Sequence, residues 1–169
     1  NKANQQHMST TKEHTLRYTY YDREDEMPAQ ELELVKKALA AREKAYAQYS
    51  GFMVGAAVLL ENGIILTGNN QENAAYPSGL CAERVAVYHA GAEYPDVKML
   101  KIAVCGGKKG SSSAVPVAPC GACRQAILEY SQKQGSPIEI IFAGTTPAPA
   151  VKASDIEDLL PFCFGKDFL

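Results

Sequence analysis

The sequence predicts one α/β domain, a sheet carrying helices on its faces. Two observations carry that prediction. Apolar runs of strand length, Phe52 to Leu60, Gly63 to Thr67, Met99 to Cys105 and Ile138 to Ala143, alternate with segments of helical periodicity. At 169 residues the chain has the length of one domain with a substantial core, and it contains no internal repeat.

The elements follow in order. Asn1 to Pro28 is a polar extension, and His7-Met8 reads as a junction between tag residues 1–7 and a natural start at Met8. Within it, Leu16, Tyr18 and Tyr20 alternate with Arg17 and Thr19, the pattern of a short edge strand. Asp22 to Met27 is mostly charged and reads as a solvated linker. The domain proper then spans 29–169. Gln30 to Gln48 is a predicted helix, with Leu32, Val35, Leu39 and Tyr46 on one face. Asn62-Gly63, between two apolar runs, signals a hairpin because both residues tolerate positive φ.

Asn69 to Gly79 is a polar loop, and helical character resumes from Cys81 to about Ala92. Met99 to Cys105 reads as a buried strand and Gly106 to Val117 as a loop rich in Gly, Lys and Ser. A helix from Cys120 to Gly135 precedes the strand Ile138 to Ala143. Ser154 is placed to cap a last short helix, Asp155 to Leu160, stopped by Pro161.

Composition narrows the function classes. A net charge of −2 offers no basic stripe for a nucleic-acid backbone and favours a free small-molecule substrate. No apolar run approaches a membrane span, and no secretory signal opens the chain. Five cysteines cannot pair completely within one chain, which fits a reducing, cytoplasmic setting and a metal better than a disulfide framework.

Three of those cysteines carry the chemistry. Cys81-Ala82-Glu83 is followed by Pro119-Cys120-Gly121-Ala122-Cys123, each motif where a loop becomes a helix. Helix N-termini stabilise thiolates, so two such helices side by side would converge three anionic sulfurs. Three thiols can hold Zn²⁺ and leave its fourth position open, the ligand count of a catalytic site. Glu83, two residues from a ligand, is placed to move protons. Three thiolates weaken zinc as an acid, and Arg84, donating to a ligand sulfur, would offset their charge.

These motifs resemble a known family. Tyr49-Ser50-Gly51-Phe52-Met53-Val54-Gly55-Ala56-Ala57, Gly68 to Tyr76, Cys81-Ala82-Glu83-Arg84, Pro119 to Gln125, and Leu159-Leu160-Pro161 with Phe164 are similar to the small homotetrameric cytidine deaminases, over about Leu32 to Phe168. The resemblance implies a three-layer α/β/α fold around a mixed sheet, and one Zn²⁺ per subunit on Cys81, Cys120 and Cys123. It implies hydrolytic deamination of cytidine and 2′-deoxycytidine in pyrimidine salvage, with Glu83 shuttling protons to N3 and to the leaving amine. Asn70 and Glu72 would hold the ribose 3′-hydroxyl, Phe52 and the Ala82 backbone would meet the base, and Tyr76 and Phe164 would help build sites across subunit boundaries. The sequence departs from the family pattern at Asn69, where many members have cysteine, in its longer N-terminal segment, and in the extended Lys108 to Ser113 loop.

Rival readings are less economical. Cys120-x-x-Cys123 alone fits a redox pair or half a structural zinc site. A structural site needs a fourth ligand, and Cys105, Cys163 and His89 are the candidates. Cys105 and Cys163 sit in apolar surroundings and read as packed thiols, and His89 as a surface or core residue. A modified or antibiotic cytosine nucleoside is the alternative substrate, and a non-catalytic zinc scaffold the alternative class. Nucleic-acid editing is disfavoured, because a clamp on the 3′-hydroxyl occupies the atom that links a polynucleotide.

Overall fold

A computed structural model describes residues 8–169; the tag reading of residues 1–7 lies outside the described residues. Six strands form one sheet in the order β1-β6-β5-β4-β2-β3, with β1 Thr19–Tyr21, β2 Phe52–Leu60, β3 Ile65–Asn69, β4 Met99–Lys108, β5 Glu139–Ala143 and β6 Ala150–Ala153. Only β4 and β5 run parallel, joined by a helical crossover, so the sheet is mixed as expected. The helices are α1 Ala29–Arg42, α2 Ala82–Glu93 and α3 Gly121–Gln134. No helix among the described residues is long and apolar enough to cross a membrane.

Alternation along the central strands makes the three layers. In β2, Ala56, Val58 and Leu60 face α2 and α3, packing with Ala86, Val87, Ile127 and Leu128. Ala57 and Leu59 point the other way, onto Leu34, Val35 and Ala38 of α1. β2 and β4 are therefore apolar on both faces, which explains why they read as continuous apolar runs. The approach of α1 is close: a Cβ on Gly55 would run into the carbonyl of Ala38 and the backbone of Arg42.

Several elements differ from expectation for physical reasons. The first helix stops at Arg42 rather than Gln48. Arg42 turns its buried guanidinium inward, donating to the carbonyls of Met53 (3.1 Å) and Gly107 (2.8 Å). Tyr46 is not on the helix; its backbone bridges to Asn70 O and Glu72 N, which requires extended chain. The hairpin strand is displaced to Ile65–Asn69, and β4 runs on to Lys108 because it pairs with β2 as far as Phe52. Asp155, not Ser154, caps the segment expected after Ser154, a 3₁₀ turn over Ile156–Leu159, by accepting from Glu157 N, and a further 3₁₀ turn follows at Lys166–Phe168.

Strand β6 escaped the sequence reading. Its Ala-Val-Lys-Ala lacks a strong strand signature, and pairing with β5 on one side and β1 on the other makes it a strand. The N-terminal segment is thus tied to the sheet edge. Met27, at the end of the charged stretch, is buried in the α1 layer. Beneath β1 lies Glu31, 1% exposed, which accepts from Tyr21 Oη (2.8 Å), Lys101 Nζ (3.0 Å) and Lys152 Nζ (2.9 Å). A buried carboxylate must find such partners, and here they come from three strands.

Candidate active site

Cys81 and Cys120 are the residues immediately before α2 and α3, both with extended backbone (φ −70° and −67°). Neither Cys81 nor Cys120 makes a side-chain cap hydrogen bond, and each thiol sits at the positive end of its helix, where thiolate charge is favoured. Cys123 follows in the first turn of α3 and is buried. The two helices pack side by side on one face of the sheet, which brings the three sulfurs within 4.8 Å of one another. Among the described residues, no other group of three or more Cys, His, Asp or Glu is placed to hold a metal.

The spacing fits zinc. Sulfurs at tetrahedral corners about 2.3 Å from a common centre stand about 3.8 Å apart. Cys81 Sγ and Cys120 Sγ are 3.8 Å apart, far outside disulfide range. The three thiols also share charge unevenly. Hydrogen bonding from Cys123, opposed by burial and assisted by Arg84 and Cys120, lowers the Cys81 thiol to about 5. Cys123 moves upward in return, because it gives its proton to that hydrogen bond and is buried. Arg84 Nη2 donates to Cys81 Sγ at 3.4 Å, the contact anticipated from sequence.

Glu83 occupies the first turn of α2 and is 4% exposed. Burial raises its carboxyl above the usual range, and the charge of Cys81 adds to the effect. A buried acid with a raised pKa beside a thiolate cluster has the properties of a proton carrier near neutral pH.

A cleft of about 440 Å³ opens beside the cysteines, and Asn70, Glu72, Tyr76, Cys81 and Arg84 line it. Phe52 starts β2, half-buried, and Ala82 is fully buried in α2. Neither they nor Glu83, Cys120 and Cys123 are among the residues that line the cleft, which Cys81 alone of the three cysteines reaches. Phe164 is apart from the cleft lining: it is 57% exposed, stacks on Phe168 at 5.2 Å, and its carbonyl accepts from Gln125. Tyr49, Ser50, Gln71 and Leu80 also line the cleft and were not singled out from sequence. Tyr49 and Ser50 flank the named Phe52, but only the fold reveals that they close over Glu72.

Of the rival fourth ligands, His89 is exposed on α2, Cys105 is buried under α1 with its thiol pushed up to about 12, and Cys163 packs against the core. None joins the cluster.

The family model for the cytidine and deoxycytidylate deaminase zinc-binding region matches residues 28–135, from α1 through α3, cysteines and Glu83 included. The chain belongs to this deaminase family. A cytidine deaminase of Sporosarcina psychrophila is 40% identical over 138 residues, covering 80% of this chain and 92% of that relative. One from Halalkalibacterium halodurans is 47% identical over 97 residues, 57% of this chain and 68% of its own. The crystal structure of cytidine deaminase from Burkholderia pseudomallei superposes with a TM-score of 0.67 at 38% identity, covering 82% of this chain and all of that one. Membership fixes the metal: Cys81, Cys120 and Cys123 form the deaminase zinc site, one ion per chain.

Proposed function

We propose that the protein hydrolyses free cytidine and 2′-deoxycytidine to uridine and 2′-deoxyuridine, releasing ammonia. The observation that carries this reading is the buried Glu83 held in the first turn of the helix that Cys81 begins, beside a cleft of nucleoside size. Zinc on Cys81, Cys120 and Cys123 supplies the Lewis acidity that makes water a nucleophile near neutral pH.

The chain's own residues do the rest. Glu83 accepts a proton as water attacks C4 and passes it to N3. It then takes the proton of the new C4 hydroxyl and delivers it to the exocyclic amine, so the C4–N bond breaks, ammonia leaves and the C4 carbonyl forms. Burial of Glu83 suits the shuttle, because a carboxylate with a raised pKa is a stronger base toward the attacking water and holds the proton until it is passed on. Arg84 counters the sulfur charge, Asn70 and Glu72 hold the 3′-hydroxyl, and Phe52 and the Ala82 backbone position the base. A homotetramer would complete open sites through Tyr76 and Phe164, both more than half exposed in the single chain. Place in pyrimidine salvage and a cytoplasmic home follow from the substrate.

Ammonia release from cytidine, 2′-deoxycytidine and a cytosine-containing oligonucleotide tests the reading. Turnover of both nucleosides and none of the oligonucleotide is expected, with sedimentation at four chains. Zinc-loaded protein inert toward both nucleosides would refute it.

A further inference from the structure

Glu72 is already occupied by its own chain. Its Oε1 accepts the backbone N–H groups of Tyr49 (2.8 Å) and Ser50 (3.0 Å), and its Oε2 accepts the Ser50 hydroxyl (2.5 Å). The Ser50 hydroxyl in turn accepts the N–H of Phe52 at 2.9 Å. Asn70 grips the same segment, donating to Phe52 O and accepting from Val54 N. A carboxylate offers about four acceptor positions. Three are taken, which leaves one, on Oε2, in a residue that lines the cleft.

We propose that Ser50 is a positioning residue for sugar recognition, its hydroxyl holding Glu72 so that the one remaining acceptor of Oε2 takes the nucleoside 3′-hydroxyl. This rests on the deaminase reading and deepens it. A bland local turn does not account for the arrangement. The Ser-to-Phe52 contact that defines such a turn uses only an oxygen lone pair of Ser50, and needs no partner for the hydroxyl proton. Here the proton goes to Glu72, 22 residues away in sequence, and it is the only donor to Oε2 among the described residues. The backbone at Glu72 is fixed independently, by its N–H bond to Tyr46 O at 2.9 Å, and Oε1 keeps its two N–H donors, so removing the Ser50 hydroxyl would release Oε2 alone without freeing the loop.

The test compares kcat/KM for cytidine and 3′-deoxycytidine in the zinc-loaded wild type, Ser50→Ala and Ser50→Thr, with thermal melts as a check on folding. Wild type should prefer cytidine. Ser50→Ala should shrink that preference by about tenfold, the scale of one charge-assisted hydrogen bond weakened at a rim, and Ser50→Thr should restore most of it. Should alanine unfold the chain, Ser50→Cys, of similar bulk but a weak donor, gives the same comparison. Equal losses on both substrates, or an unchanged ratio, would overturn the proposal while leaving the deaminase reading intact. A wild type that turns over cytidine without preferring it would do the same, and no turnover at all would overturn both.

Discussion

Arg84 Nη2 lies 3.4 Å from Cys81 Sγ, one helical turn along α2 from the thiol it contacts. Hydrogen bonding to Cys81, opposed by burial and assisted by Cys123 and the charge of both sulfurs, raises the guanidinium pKa, and its Nε is buried without a hydrogen-bond partner among the described residues. The sulfur cluster is the counter-charge that keeps this side chain inside. Arg84→Ala should therefore lower kcat/KM or zinc affinity by roughly 10–100-fold, as loss of an outer partner of a metal ligand does. Kinetics beside a zinc-dissociation assay check this, and a variant wild-type in both would remove Arg84 from the site.

Packing under the site is as exacting. A Cβ on Gly68 of β3 would lie 2.7 Å from Ala86 N and 2.8 Å from Ala82 O. Both are backbone atoms of α2, so the helix carrying Cys81 and Glu83 must move. Gly68→Ala should cost about 1–3 kcal/mol in stability. It should also reduce kcat/KM at least about tenfold, since small displacements of catalytic groups are expensive. Thermal melts and kinetics read the two effects; full activity at lowered stability would show that α2 accommodates the methyl elsewhere.

The Glu31 cluster predicts a pH signature in stability. Burial alone would raise Glu31, but hydrogen bonds from Lys152, Tyr21 and Lys101 outweigh it and hold the carboxyl below its usual value of 4.5. Its contribution is present above that value and lost as pH falls through the lower folded pKa. Lys101 and Lys152 are raised above 10.5 by Glu31 against the opposing effect of burial, so their contribution is complete below 10.5 and lost as pH rises through the folded values. Glu31→Gln should cost about 3 kcal/mol near neutrality, or ~6–12 °C in Tm. The gap should narrow at both pH extremes. A gap constant from pH 3 to 8 would rule out the ionic account.

Metal removal should change which thiols react. With zinc bound, Cys81, Cys120 and Cys123 are ligands and protected. After chelation, exposed Cys120 and half-buried Cys81 should react rapidly with a thiol reagent, while Cys105, buried with its thiol raised to about 12, reacts only on unfolding. Identical labelling before and after chelation would contradict a zinc site on these cysteines.

Most of this architecture was legible because its signals are local. The Asn62-Gly63 turn, the apolar run of β2 and the cysteines at two helix starts each declare themselves within a few residues. What escaped depends on distant partners. The end of α1 is set by carbonyls of β2 and β4 that receive Arg42, and nothing near Glu43 announces a stop. β6 is a strand because of its neighbours on both sides. Nothing local marks Glu31 as buried, because its partners Lys101 and Lys152 arrive from β4 and β6. Asn70 and Glu72 were picked out by resemblance, but their clasp on Tyr49 to Val54 is visible only in three dimensions.

The most direct test of the central claim follows cytidine absorbance with zinc-loaded wild type and Glu83→Gln, zinc content measured in both. Steady turnover by the wild type is expected, with a loss of at least about a thousandfold in the variant and zinc retained. Glutamine keeps the shape of the side chain but cannot carry the proton. A zinc-replete Glu83→Gln protein that deaminates cytidine at the wild-type rate would remove Glu83 from the chemistry.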